Sequence, residues 1–145
     1  MNSPLPHDPI NAPSHYRGRS GRQSIEITHA YRLGPDLTQA VDYILRAGRK
    51  TADPRQDLAK AVFYLRYAAA TGRDLSFGFP ESLQPTAAQV AADFDLDAHR
   101  AAALELILRP WPMPAEAAIA VRHVEAAIEA YTATLLPVAN TGRAA

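Results

Sequence analysis

An all-α fold is what this sequence predicts, and three observations predict it. Alanine, the strongest helix former, runs through most of the chain. Apolar residues recur at helical spacing, and alternating apolar–polar runs with β-branched clusters are nearly absent. The expected architecture is a helical hairpin core, with an extended Pro-rich N-terminal arm before it and additional C-terminal helices after it. Residues 1–75 hold the arm and the hairpin; 76–145 form a helical extension expected to pack on the same core. With 48% hydrophobic residues in 145, the chain has ample material for one such core.

In the arm, Pro4, Pro6, Pro9 and Pro13 exclude a regular helix. Arg17 to Arg22 (RGRSGR) reads as a flexible basic loop, solvated in the plain reading and phosphate-contacting in the functional one. Ser24 is placed to cap a short helix reaching about Leu33, which Gly34-Pro35 ends. Asp36 or Thr38 then caps the first hairpin helix, where Leu37, Ala40, Val41, Ile44 and Leu45 form a core-facing stripe. Arg46, Arg49 and Lys50 crowd its last turn, where cations complement the helix dipole. Gly48 offers a left-handed terminator there.

The second hairpin helix has Asp53 as its N-cap, Pro54 at the first helical position and Gln56 in a capping-box position. Leu58, Ala61, Val62, Leu65, Ala68 and Ala69 make its stripe. Beyond Gly72, the RDLSFGFP stretch is expected to be a loop that packs down through Phe77 and Phe79. A short helix follows over Thr86 to Ala92. Asp95 or Asp97 starts another, with Ala101, Leu104 and Leu108 on one face and Pro110 as its stop. Trp111-Pro112-Met113-Pro114 makes an apolar elbow before a last helix ending near Leu136. Along that helix Ala117, Val121, Val124, Ile128, Tyr131 and Leu135 alternate steps of four and three, the spacing of a packing seam. A frayed end is expected from Asn140.

Net charge is zero but unevenly spread. Residues 1–75 have eleven Lys/Arg against seven Asp/Glu, an excess of four positive charges; 76–145 have four against eight, an excess of four negative. That imbalance is too small for a general nucleic-acid coat and suits a small anion at one local site. The absence of cysteine excludes disulfides, thiol catalysis and thiolate metal sites. No apolar run approaches the ~20 residues of a membrane span, and the start lacks a signal-peptide layout. A cytoplasmic protein that makes no membrane contact is expected.

The familiar nucleotide motifs are missing: no GxxxxGK[ST], no GxGxxG, no nucleophile elbow and no HExxH. Any nucleotide must therefore be cradled by side chains and helix ends. Arg46, Arg49, Lys50 and Lys60 are the anion-site candidates, although cations belong at a helix C-terminus in any case. Tyr43, Tyr64 and Tyr67, with Phe63, offer either a stacking face for a base or ordinary core and interface residues. Glu26 and His29, at i and i+3, read either as a metal pair to which Asp42 adds, or as a capping and surface pair. No metal site is assigned. His15-Tyr16 ends the Pro-rich arm with no periodicity to explain it, and suits proton transfer, a phosphate contact or simple tethering of the arm.

The blocks DPINAPSHY at 8–16, IE at 25–26, AVDYILRAGRK at 40–50 and DLAKAVFYL at 57–65 resemble a phage and prophage family known as DUF3310. The resemblance covers residues 8 to about 68, and its signature falls on Asn11, Pro13, His15, Tyr16, Glu26, Tyr43, Arg46, Gly48, Lys50, Asp57, Lys60 and Tyr64. Where the family commonly has Gly-Asn just before Ala40, this chain has Thr38-Gln39, a departure that bears on ligand geometry.

The resemblance implies a P-loop-less (deoxy)nucleoside monophosphate kinase using ATP as donor, with magnesium dependence left open. It implies His15, Glu26, Arg46 and Lys50 as catalytic residues, and Tyr16, Tyr43, Arg49 and Lys60 as nucleotide-binding ones. A homo-oligomer is expected from the same resemblance and from the apolar last helix. The alternatives are a non-catalytic binder of a nucleotide or small phosphorylated ligand, an interaction module whose Val121/Val124/Ile128 seam meets a partner, and an all-α pyrophosphohydrolase relying on Glu26, Asp42 and Asp57.

Overall fold

A computed structural model describes residue 10 and residues 14–137. The arm's Pro4, Pro6, Pro9, Asn11 and Pro13, and the end expected to fray from Asn140, lie outside the described residues. Among the described residues, six α-helices follow a single 3-10 turn, η1 (Ser14–Tyr16): α1 (Ser24–Ala30), α2 (Pro35–Arg46), α3 (Arg55–Thr71), α4 (Ala87–Asp93), α5 (Ala98–Ile107) and α6 (Pro114–Leu135). The protein is mainly helical. Among the described residues there is no strand, only the isolated bridges Arg17–Gln23 and Leu33–Ser76. No helix among them is long and apolar enough to cross a membrane.

The hairpin is the centre of the packing. α2 lies along α3, α3 against α6, and α6 against α5, while α1 and η1 flank α2. The predicted α2 stripe is fully enclosed: Leu37, Ala40, Val41, Ile44 and Leu45 are all buried. On α3 the same holds for Leu58, Ala61, Val62, Leu65 and Ala68, with Ala69 packed at the edge. One continuous core joins these to Ala103, Leu104 and Ile107 of α5 and to Ala117, Val121 and Val124 of α6. The seam on α6 is thus consumed inside the chain. Val121 and Val124 are not open to a partner; Leu135, at the far end, is exposed.

Helix ends differ from the sequence expectation in instructive ways. α1 is capped by Gln23 rather than Ser24, which is buried. α2 starts two to four residues earlier than expected, at Pro35 with Gly34 as N-cap, because Pro35 is already suited to the first helical position. Thr38, freed from capping, donates its hydroxyl to the Leu33 carbonyl at 3.2 Å. Gly34 itself is fixed by close approach: its N–H donates to the Leu75 carbonyl at 2.9 Å, and a Cβ would overlap the Asp74 carbonyl. Gly48 takes the expected left-handed conformation at φ 82°. At α3, Asp53 accepts the Arg55 amide and grips its guanidinium. Thr86 and Asp97 cap α4 and α5 through their side chains.

The two phenylalanines after Gly72 do not pack down. Phe77 and Phe79 are 64% and 60% exposed, and Leu75 and Pro80 anchor the loop instead. Its course is set by backbone bonds to the end of α1: Phe77 N–H to Arg32 carbonyl at 2.8 Å, and Glu81 N–H to Ala30 carbonyl at 2.8 Å. With its backbone tied this way, the loop presents the rings outward. The basic loop at 17–22 also departs from expectation, being docked rather than solvated. Arg19 pairs with Asp95, while the Ser20 amide and hydroxyl both donate to the Asp93 carboxylate at 2.7 Å. The basic half is in this way latched to the acidic half.

Candidate functional site

Arg46, on the last turn of α2, is the centre of a cluster that draws on three separate stretches of chain. Its Nη1 donates to the Tyr16 hydroxyl of η1 at 2.8 Å, and its Nη2 to Asp57 Oδ1 of α3 at 3.1 Å. Only 14% of the Arg46 side chain and 8% of that of Asp57 are exposed, so this is a nearly buried ion pair. Burial disfavours the guanidinium charge, but the hydrogen bonds to Asp57 and Tyr16 outweigh it and hold Arg46 above the usual arginine range.

Aromatic rings surround the charge. The Arg46 guanidinium carbon lies 5.0 Å from the Tyr43 ring centroid and 5.8 Å from that of Tyr16, within cation–π range. Lys60, one turn along α3 from Asp57 and exposed, places its ammonium 5.3 Å from the same Tyr43 ring. Tyr64 stacks on Tyr43 at 6.1 Å, and His15 leans on Tyr16 at 4.4 Å. Phe63 and Tyr67 remain exposed on α3. Asp42 lies one turn before Arg46, its carboxylate under the influence of the Ser24 side chain and the Arg46 charge. Burial raises its carboxyl above the ordinary range, and those two influences only partly oppose that. Among the described residues, Asp42 Oδ1 and Arg46 Nε are buried without a hydrogen-bond partner.

Of the expected catalytic and binding residues, then, His15, Tyr16, Tyr43, Arg46 and Lys60 come together. The other three go elsewhere. Glu26 accepts the Gln23 backbone N–H at 2.7 Å as the reciprocal half of a capping box. Arg49 donates to the carbonyls of Arg17 and Phe94 and lies 5.3 Å over the Phe94 ring, pinning the arm's loop to α4. Lys50 is exposed beyond Gly48. Among the described residues no three His, Asp or Glu side chains gather closely enough to hold a metal ion, so the Glu26–His29 pair stands by itself.

Sequence reasoning missed two contributors. Asp57 entered only through the family signature and as a carboxylate of the pyrophosphohydrolase alternative, yet it is the group that pairs with Arg46; an acidic residue on the apolar side of α3 was the available signal. Arg100 was not singled out at all. From α5 it donates to the Ala47 carbonyl at 2.9 Å, satisfying the end of α2 that the local cations were expected to serve. Asp97 holds that guanidinium at 2.6 Å. Burial would raise the Asp97 carboxyl, but the hydrogen bonds it accepts from the Arg100 amide and guanidinium outweigh this and hold it below the usual range.

Thr38 and Gln39 do not reach the Arg46 cluster. They line a groove of about 580 Å³ at the opposite end of α2, together with His29, Arg32, Phe77 and Glu81.

An all-α domain with a cationic and aromatic junction between arm and hairpin is thus the class that fold and site define. Residues 10–66, well under half of the chain, match the family model described as protein of unknown function (DUF3310), and it is this segment that is similar to the family. No curated protein and no solved structure matches the chain.

Proposed function

We propose that the junction of arm and hairpin binds a nucleotide by its phosphate, and that the chain acts there as a nucleoside monophosphate kinase of the P-loop-less kind it resembles. One observation supports this above the rest: Tyr16, Tyr43, Arg46 and Lys60 converge from three segments into one half-open cluster of rings and positive charge. Lys60, exposed beside the Tyr43 ring, supplies the charge that faces phosphate. Arg46, already engaged by Tyr16 and Asp57, positions the Tyr16 ring rather than clamping phosphate itself. His15 and Tyr16 contact the base or ribose.

In this reading ATP is the donor and a dNMP the acceptor. A phosphate oxygen of the dNMP forms a bond to the γ-phosphorus as the bond to the β,γ-bridging oxygen breaks, releasing ADP. The protein's part is to hold the two groups in line and to neutralise spreading charge. No residue is assigned to hold magnesium. The reaction belongs in the cytoplasm, and self-association, which the resemblance also implies, is tested by sedimentation at micromolar concentration, where a monomer would remove it.

A non-catalytic binder is the second reading, favoured by the engagement of both Arg46 Nη atoms with Tyr16 and Asp57, which leaves Lys60 to meet the transferring group. A coupled assay with ATP and the four dNMPs separates the two. Turnover that falls in Lys60→Ala supports the kinase. Tight calorimetric binding without product identifies the binder, and neither binding nor turnover ends both.

A further inference from the structure

We infer that the groove at the N-terminal half of α2 is a second binding site, for a small ligand that joins a planar ring to an anionic group, a nucleoside monophosphate being the fitting class. The site stands on its own geometry and not on the Arg46 junction. Gln39 and Arg46 are seven residues apart on one helix, about 10 Å along its axis.

The groove is of ligand size, about 580 Å³, within the range of small-molecule pockets. Its chemistry is divided in the way such a ligand requires. Phe77, 64% exposed, offers a ring face with no core to bury it, an arrangement that suits stacking. Gln39 brings an amide that both donates and accepts, the complement of a base edge. Arg32 and His29, both exposed, bring the cationic and protonatable groups for an anion. Thr38, its hydroxyl committed to Leu33, forms wall rather than contact.

Two features mark the groove as prepared. Its outer wall is held by backbone hydrogen bonds from Phe77 to Arg32 and from Glu81 to Ala30, so the ring and the guanidinium keep their spacing before any ligand arrives. Arg32 sits in the left-handed region at φ 52°, where its carbonyl receives the Phe77 amide. Its guanidinium meets Glu81 at 3.5 Å, a long pair with 45% and 64% of the two side chains exposed. Such a pair contributes little, so a phosphate displaces the carboxylate easily.

The test is a titration of the isotope-labelled full chain with each of the four dNMPs, followed by amide NMR. Saturable shifts are expected at Arg32, Gln39 and Phe77, with a dissociation constant weakened about tenfold or more in Phe77→Ala and in Arg32→Gln. Because both side chains are exposed, the variants are expected to keep the wild-type amide spectrum elsewhere. Shifts confined to Tyr43–Lys60 would support the junction and overturn the groove. No shift with any dNMP, or an unchanged constant in both variants, overturns it as well. Shifts in the groove alone leave the groove standing and count against the junction.

Discussion

The two ends of α2 handle polar groups in opposite ways. At Arg46 the charges are nearly buried and paired: Tyr16 and Asp57 occupy the two Nη atoms of the guanidinium, and Tyr43 lies beneath it. At Gln39 the polar groups line an open groove, and the one ion pair there is long and exposed. The difference teaches that a conspicuous cation is not by itself a ligand site. Buried and paired, Arg46 first of all holds the arm to the hairpin, while the less conspicuous Arg32 and Phe77 stay available.

If that contrast is right, the largest effects on stability belong to the Arg46 end. Replacing Asp57 by Ala strands a buried guanidinium and is expected to cost about 3–5 kcal/mol, read by denaturant unfolding. The double variant Arg46→Met/Asp57→Leu is expected to lose far less, since no lone charge is left behind. Next comes Gly34→Ala, whose Cβ would overlap the Asp74 carbonyl and force the α2 start away from the 74–76 segment. About 1–3 kcal/mol is expected, the usual range for overpacking. A wild-type melting temperature in this variant would show that the close approach is dispensable.

Smaller effects follow from pH. Asp42 has its carboxyl raised by burial, so the folded state binds a proton more readily than the unfolded one, and this group's contribution falls as pH rises through the raised value. Asp42→Asn is therefore expected to be more stable than wild type at neutral pH, the gap closing as pH falls towards about 4. Asp97 has the opposite sign. Its lowered carboxyl stabilises above about pH 4 and loses that contribution as pH falls through the folded value, so Asp97→Asn flattens the acid limb of the stability curve. Smallest of all is Phe77→Ala without ligand, within about 0.5 kcal/mol of wild type, as suits an exposed ring.

Much of the scaffold was legible in the sequence because helical periodicity is local. Leu37 to Leu45 on α2, Leu58 to Ala68 on α3, and the start of α5 at one of the two candidates, Asp97, needed no knowledge of the partners they meet. What was not legible depends on contacts between distant residues. Arg19 meets Asp95 and Arg100 meets Ala47 across more than fifty positions, and no local pattern announces either. Phe77 and Phe79 looked like residues seeking a core, yet backbone bonds to Arg32 and Ala30 fix the loop with both rings outward. At the candidate site the residue types were legible, and the geometry sorts them: Tyr16, Tyr43 and Lys60 gather at Arg46, whereas Glu26 caps α1 and Arg49 braces the arm's loop.

Equilibrium binding of ATP and of the four dNMPs to wild type and to Lys60→Ala tests the junction most directly, since this exposed lysine supplies charge without holding the fold. Affinity for at least one nucleotide is expected to fall about tenfold or more with the melting temperature unchanged, as for loss of a charge-assisted phosphate contact. Equal affinity in the two proteins, or no binding to either, would contradict a nucleotide site between arm and hairpin.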